Sequence, residues 1–285
     1  MHVISTVAEM QDVARNAHDE GSTMGCVPTM GALHRGHASL IDASTRSHAL
    51  TVVSVFVNPT QFGPNEDFDK YPRNLDADID MIRTHGGTHV FAPSVAEMYP
   101  EGFSTSIRVG GITDLLEGAR RPGHFDGVAT VVTKLFEAIR PDEAYFGQKD
   151  YQQTLVVKRI VRDLFIPVKI SVMPTIREED GLALSSRNRY LSAEERSMAA
   201  ALFKALEAAK NHIQACDGDV QPKLVERAMT KVLTSYANME IDYAVAVDAE
   251  TLLHEERFER GDVIALLIAV KIGSTRLIDN MIVTV

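Results

Sequence analysis

A chain of 285 residues with 45% hydrophobic and 24% charged residues is ordinary for a globular protein; this excludes a disordered or fibrous polypeptide and leaves room for one large domain and one smaller one. The formal net charge of −10 excludes a broad basic face for sequence-independent nucleic-acid binding, so any anionic ligand must be held by a local group of cations. Only two cysteines are present, Cys26 and Cys216, far apart in no metal or redox spacing, which points to a reducing compartment.

The N-terminal stretch MHVISTVAEMQDVARNA lacks the basic start and continuous apolar run of a secretory signal and is spaced as a short amphipathic helix. From Thr23 to about Thr175, β-rich runs alternate with helical patterns. MGCVPT (24–29), LTVVSVFV (50–57), THVFAP (88–93), EAYFG (143–147) and IPVKISVMPT (166–175) read as strands. Between them, Val128, Val131, Val132, Leu135, Phe136 and Ile139 recur at helical spacing, as do Leu155, Val156, Ile160 and Leu164. Strand and helix in alternation predict crossovers and a parallel sheet covered on both faces, the doubly wound α/β architecture, whose ligands gather at the carboxyl ends of the strands.

After Asp180 the texture changes. SAEERSMAAALFKALEAAK (192–210) and QPKLVERAMTKVLTSY (221–236) read as helices, and IDYAVAVD, DVIALLIAV and RLIDNMIVTV as three late strands. Helices followed by a block of strands predict a smaller α+β domain with an antiparallel sheet, and the boundary falls near Thr175. The longest apolar run, VIALLIAV at 263–270, is far shorter than the roughly 20 residues a membrane helix needs. A cytoplasmic protein with no membrane partner is expected.

Five segments can carry chemistry. VPTMGALHRGHASLI (27–41) joins the first strand to a helix and holds His34 and His37 three residues apart. Unsatisfied N–H groups and the positive dipole end at a helix start favour phosphate, and two imidazoles in one turn fall on one side of the helix. Gly31 and Gly36 permit close backbone approach. The alternatives are a plain surface loop and a zinc site, the latter short of a third ligand. Neither G-x-x-x-x-G-K-[ST] nor G-x-G-x-x-G after a strand occurs, so P-loop and dinucleotide readings lose their support. SVFVNPTQFGPNEDFDKYPR (54–73) runs from a strand into Asn58, Pro59 and Gln61; neutral amides suit a hydroxyl or carboxylate that must be oriented, while a plain Asn-Pro turn is the alternative. YFGQKDYQQTLVVKRI (145–160) repeats strand, glycine turn and helix. There Lys149 supplies a point charge for phosphate, Asp150 is a candidate N-cap and Gln153 lies one turn in. REEDGLALSSRNRYLSAEER (177–196) presents Ser185, Ser186 and Arg187 after a Gly181 loop, hydroxyls and a guanidinium fork for phosphates or else a solvated loop; Ser192 and Glu195 form an S-x-x-E capping box. In GARRPGHFDGVATVVTKLF (118–136), Arg120, Arg121 and His124 either add positive charge or solvate a loop.

Together, the H-x-G-H loop and LSSRN resemble the paired signatures of the nucleotidylyltransferase superfamily, the counterparts of the HIGH and KMSKS elements of class I aminoacyl-tRNA synthetases. More narrowly, PTMGALHRGH, FVNPTQF, YPR, GHFDGVATVV, FGQKDYQQ and LSSRNRYLS, with the late DAETL and RLIDN, are similar to the pantothenate synthetase (pantoate:β-alanine ligase) family over essentially the whole chain. The resemblance implies ATP-driven condensation of (R)-pantoate with β-alanine through a pantoyl-adenylate, with release of AMP and pyrophosphate, a step in coenzyme A precursor biosynthesis. It implies a Rossmann-like domain over 1–175 that binds nucleotide and pantoate, a domain over 176–285 that closes over the active site, and a homodimer.

By motif matching, the resemblance gives His37, His34, Lys149 and Arg187 catalytic roles, with His37 the usual nominee for general acid. ATP contacts fall on Met30, Gly31, Ala32, Leu33, His34, Arg35, Gly36 and His37, on Gly147, Gln148, Lys149 and Asp150, on Ile176, and on Leu184, Ser185, Ser186 and Arg187. Gln61 and Gln153 match pantoate-orienting glutamines, and Gln61 is also carried over to β-alanine. Mg2+ is expected with ATP. Asp76 and Asp78 stand where the family offers acidic residues, but Ala77 interrupts the run and neither is assigned as a ligand. Two rival readings stand beside this one: nucleotidyl transfer to a phosphorylated acceptor, which would want another basic subsite where Asn58, Gln61 and Gln153 offer amides, and a silent nucleotide sensor, which could discard His37 or Lys149, both present.

Overall fold

In the computed structural model, which describes residues 1–63, 68–69 and 71–285, the chain divides into two compact units. One comprises Met1–Gln148 and Gln152–Pro174, the other Lys149–Tyr151 and Thr175–Val285. The first alternates strand and helix: β1 (His2–Ile4), α1 (Val7–Asp19), β2 (Met24–Thr29), α2 (Arg35–Ser47), β3 (Leu50–Val55), α3 (Leu75–Thr84), β4 (His89–Phe91), α4 (Val95–Met98), α5 (Leu116–Arg120), α6 (His124–Ile139), β5 (Glu143–Gly147), α7 (Tyr151–Asp163) and β6 (Lys169–Met173).

Runs such as MGCV and TVVS carry no polar alternation, which suits strands covered on both faces, and residues 24–27 and 51–54 are all buried. The strands form a six-stranded parallel sheet in the order β1-β4-β3-β2-β5-β6. Met10 and Ala14 of α1 and Val128, Val132 and Phe136 of α6 share one core with Met24 and Cys26, while Leu40, Ile41 and Ile82 from α2 and α3 share the other with Val27 and Val53. This is the doubly wound sheet. Strand β1 is missing from the sequence reading because three residues are too few to show a period; pairing with β4, from His2↔His89 to Ile4↔Phe91, holds it.

The order of the strands decides where a ligand can sit. The chain runs from β2 to β3 to β4 in one direction, then crosses back to β5 beside β2 and on to β6. The reversal between β2 and β5 is the switch point at which open α/β sheets bind ligands. Only Gly25↔Glu143 and Cys26↔Ala144 pair across it. The carboxyl halves of the two strands are therefore not tied together, and a crevice opens there.

In the second unit, α8 (Ala193–Ala199) and α9 (Ala201–Gln214) divide the alanine-rich stretch at Ala200, and α10 (Pro222–Leu233) begins on a proline, whose missing N–H costs nothing at a first helical position. Strands β7 (Met239–Asp248), β8 (Val263–Ile272) and β9 (Thr275–Thr284) form an antiparallel sheet in that order. The apolar run VIALLIAV is the central strand β8, buried from Ile264 to Val270. Lys149–Tyr151 group with this unit instead of with residues 1–175. The Asn280 amide donates to the Lys149 carbonyl at 2.9 Å and the Tyr151 hydroxyl to the Ala249 carbonyl at 2.8 Å. Burial, with Asp248 and Glu250 nearby, pushes the Tyr151 hydroxyl up to about 12, so it stays a donor. No helix among the described residues is long and apolar enough to cross a membrane.

One residue after α7 is under backbone strain. Phe165 is 90% exposed and has φ +54°, a left-handed conformation that penalises a β-carbon and that asparagine tolerates. Phe165→Asn is expected to stabilise the protein by about 1 kcal/mol, read as a higher denaturant midpoint; an unchanged or lower midpoint contradicts the strain.

Candidate active site

The loop after β2 is built from its own hydrogen bonds. Thr29, in register with Val55, donates its hydroxyl to the Ser54 carbonyl at 2.7 Å and accepts from the Gly31 N–H at 3.1 Å. Gly31 (φ +81°) and Ala32 (φ +51°) are both left-handed, and the chain then turns into α2. The N–H groups of Ala32 and Leu33 donate to Asp78, at 3.0 and 2.8 Å.

His34 is the N-cap of α2. Its Nδ1 accepts from the Gly36 N–H at 3.1 Å, and the His37 Nδ1 accepts from the His34 N–H at 3.3 Å. The ring centroids are 4.1 Å apart. An imidazole whose Nδ1 accepts carries its hydrogen on Nε2, so the backbone assigns both tautomers. A β-carbon at position 36 would lie 2.9 Å from the His34 Cε1, so the glycine between the histidines makes room for the capping ring.

The segment after β3 forms a second network. Asn58, 1% exposed, caps the 3-10 turn Pro59–Gln61. Its Oδ1 accepts from the Tyr99 hydroxyl at 2.7 Å and the Thr60 hydroxyl at 2.9 Å; its Nδ2 donates to the Gln61 Oε1 and the Gly127 carbonyl, both at 3.1 Å. Asn58 is thus occupied by the scaffold, and the amide turned toward the first loop is that of Gln61, whose Nε2 meets the Met30 Sδ at 2.9 Å. A thioether is a weak acceptor that a ligand oxygen can replace. Burial raises the Tyr99 hydroxyl above its ordinary range and keeps it a donor to Asn58. His124 and Arg121 converge on the Gln61 carbonyl: His124 donates Nδ1–H at 2.8 Å, Arg121 donates from Nη2 at 3.4 Å, and Arg121 Nη1 donates to the His124 Nε2 at 3.0 Å. These two side chains hold a turn in place, whereas Arg120 is exposed. The far end of the segment, residues 64–67 and 70, lies outside the described residues.

After β5, Gly147 ends the strand and a 3-10 turn, Gln148–Asp150, runs into α7. Adjacent glutamines diverge there. Gln152 is buried, accepting from the Glu117 N–H and donating to the Ile112 and Leu115 carbonyls, while Gln153 is half-buried and has no side-chain hydrogen bond among the described residues. In the second unit the Lys149 side chain is 18% exposed, with Nζ 3.7 Å from Asp150.

Also in the second unit, Ile176 to Asn188 is a built hairpin. The Leu184 N–H donates to the Ile176 carbonyl at 2.9 Å, and Ser185 caps the 3-10 turn Ser186–Tyr190, its Oγ accepting from the Arg187 N–H at 3.2 Å. Capping uses a lone pair of Ser185 and leaves its hydroxyl hydrogen as a donor. Asp279, its side chain 1% exposed, grips Arg177 at the base of the hairpin in a bidentate pair of 2.6 and 3.0 Å, and the guanidinium lies 4.5 Å from the Phe203 ring centroid. Asp180 pairs with Arg196, whose hydrogen bonds hold the carboxyl below its usual range. The expected capping box is present: Ser192 N–H to Glu195 Oε2 at 2.7 Å and Glu195 N–H to Ser192 Oγ at 3.3 Å. Sequence reasoning did not single out Arg177, Asp279, Thr29 or Ser54. Each acts through partners distant in sequence, and the only local sign was the RLIDN segment.

Residues 2–282 match the family model described as Pantoate-beta-alanine ligase. The pantothenate synthetase of Moorella thermoacetica is 49% identical over 285 residues, covering 100% of this chain and 99% of that protein. Among solved structures, the pantoate-beta-alanine ligase of Thermus thermophilus superposes with a TM-score of 0.92 at 47% identity over 99% of each chain. That of Francisella tularensis, complexed with beta-gamma ATP and beta-alanine, superposes with a TM-score of 0.79 at 34% identity, covering 99% of this chain and 97% of that one.

The seat of Gln61 can be tested directly. A β-carbon on Gly127 would lie 2.3 Å from the Thr60 carbonyl oxygen, so Gly127→Ala is expected to push α6 off the Pro59–Gln61 turn and cost about 1–3 kcal/mol of stability. A wild-type denaturant midpoint contradicts this packing.

Proposed function

The chain belongs to the pantoate-beta-alanine ligase family, and from that premise we propose that it condenses (R)-pantoate with β-alanine, using ATP and yielding pantothenate, AMP and pyrophosphate. The observation that carries the assignment into this chain is the pair His34 and His37, each with Nδ1 engaged by a backbone N–H at the start of α2. The loop that carries them leaves β2 at the switch point of the sheet.

In the first step a pantoate carboxylate oxygen attacks the α-phosphorus, the bond to the β-phosphate oxygen breaks, and pyrophosphate departs with that electron pair. Negative charge grows on the nonbridging oxygens and on the leaving group, and preorganised donors lower the barrier. His34 and His37 supply Nε2–H donors, Lys149 and Arg187 supply charge, and Ser185 and Ser186 hold phosphate through their hydroxyls. Met30 to His37, Gly147 to Asp150, Ile176 and Leu184 complete the nucleotide site. Gln61 and Gln153 orient pantoate. In the second step the neutral amine of β-alanine, placed by Gln61, attacks the acyl carbon, and AMP leaves with the electron pair of the acyl–oxygen bond. Proximity supplies much of this rate.

For His37, phosphate donor is the better supported of its two roles. An imidazole acting as acid ends with a proton fewer; starting as imidazolium it must carry hydrogen on Nδ1, which here accepts from the His34 N–H. Magnesium takes oxygen ligands and keeps several waters, so it needs few protein groups. Among the described residues no three His, Cys, Asp or Glu side chains converge, a donor set that fits an ion arriving on the triphosphate. A homodimer working in the cytoplasm completes the reading and rests on family kinship alone.

Supplied with pantoate, β-alanine, ATP and magnesium, the protein is expected to form AMP, pyrophosphate and pantothenate in equal amounts; unchanged ATP sinks the assignment. Chelating the magnesium should stop turnover, and restoring it should recover the rate. His37→Ala is expected to lower turnover about 10²-fold or more. His37→Gln, which places an N–H donor near the position of Nε2, should retain more than the alanine variant if His37 is a phosphate donor; equal losses in the two variants would return it to acid catalysis.

A further inference from the structure

Asp78 lies in the first turn of α3, yet its carboxylate does not serve that helix. Asn74 caps α3 by accepting from the Ala77 N–H at 3.2 Å. The carboxylate of Asp78, 4% exposed, instead accepts from two consecutive amides of the loop after β2, Oδ2 from Ala32 at 3.0 Å and Oδ1 from Leu33 at 2.8 Å. No cation pairs with it among the described residues. A buried carboxylate without a cation is costly unless hydrogen bonds compensate, and these two amides, with the helix start behind them, provide the compensation.

The turn it holds is one the chain does not adopt willingly. Gly31 and Ala32 are successive left-handed residues, and at Ala32 the conformation carries a penalty that glycine would not incur. Gly31 is fixed by space as well, because a β-carbon there would sit 2.8 Å from the Asp78 Oδ2. The turn has one outlet: after Leu33 the chain enters α2 with His34 at the cap and His37 bound to the His34 N–H. A carboxylate from a different helix therefore sets the direction in which the two imidazoles leave the sheet.

We propose that Asp78 is a positioning residue for phosphoryl chemistry, a clamp that holds the strained Gly31–Leu33 turn and through it His34 and His37, without touching substrate. The proposal rests on the ligase reading. Small misplacement of groups that act on developing charge is expensive in rate. Loss of the clamp should thus fall on kcat, while pantoate binding, set by the separate Asn58–Gln61 network, changes little.

Asp78→Asn keeps the volume and one acceptor oxygen but turns an NH2 group toward one of the two amides, leaving donor facing donor. It is expected to lower kcat at least 10-fold, with the KM for pantoate within about twofold of wild type and a retained cooperative unfolding transition. Adding Ala32→Gly removes the left-handed penalty, so Asp78→Asn/Ala32→Gly should recover at least 3-fold in kcat over Asp78→Asn, each compared with Ala32→Gly alone. Wild-type kcat in Asp78→Asn overturns the proposal, as does a loss of kcat that Ala32→Gly leaves unrelieved, or a pantoate KM that rises as much as kcat falls. Should the variant fail to fold, amide hydrogen exchange on the wild-type protein decides: Ala32 and Leu33 are expected to be protected at least 10²-fold, and exchange at unprotected rates overturns the clamp. Wild-type turnover is measured first, and a wild-type protein inactive on pantoate and β-alanine fails the ligase reading, whereas amide protection tests the clamp independently.

Discussion

The site depends on a sheet that is stitched together for only two residues at its point of reversal. Strands β2 and β5 pair at Gly25↔Glu143 and Cys26↔Ala144 and nowhere further along. Parallel strands present their carboxyl ends on one side, and each crossover helix begins there, so unsatisfied N–H groups collect along that edge. Where the order reverses, neighbouring loops depart to opposite faces and leave a gap. The histidine loop follows β2 and the Gly147–Gln148 turn follows β5, which puts both at the gap before any side chain has been considered.

What fills that edge is chosen by backbone hydrogen bonds. The amide of Gly36 and that of His34 each meet an imidazole Nδ1. Asn58 spends its donors and acceptors on Tyr99, Thr60, Gln61 and Gly127. Ser185 accepts from its neighbour Arg187. In each case the main chain or a buried partner orients a polar side chain in advance, and donors fixed before reaction need little reorganisation as charge develops. A protein with a net charge of −10 can in this way concentrate positive potential in a few dipoles and cations without a broad basic surface.

The architecture was legible because it rests on period and length: buried runs without alternation, helical spacing between them, then a block of late strands. The motif histidines, Gln61 and the serine–arginine segment were legible because each sits where an element changes. The legible part ended with residues whose role is made by partners remote in sequence. Arg121 and His124 looked equally suited to solvate a loop, and only the fold brings them to the Gln61 carbonyl. Gln152 and Gln153 are adjacent and identical in type, so no local rule separates the buried brace from the half-buried amide. Asp279 reads as one more acid in a strand until it is seen gripping Arg177 across about a hundred residues. The three residues of β1 and the break at Ala200 fall below the resolution of any periodic signal.

The pairing of Asp78 with the histidine loop also bears on why this helix start uses imidazoles. In glycine-rich phosphate loops the backbone N–H groups themselves face the ligand. Here two such groups, those of Ala32 and Leu33, are turned inward to a buried carboxylate. On the proposed reading, the donors withdrawn from the phosphate side are replaced by side chains, and those side chains need fixed tautomers to be reliable donors. The next two amides of the loop, at His34 and Gly36, are the ones that accomplish this by binding Nδ1 of His37 and of His34. The four N–H groups therefore work as one device: two fix where the turn points, and two fix which nitrogen of each ring carries the hydrogen. The H-x-G-H spacing follows from that division, since a glycine is required beneath the capping ring and the second ring must reach back to the cap.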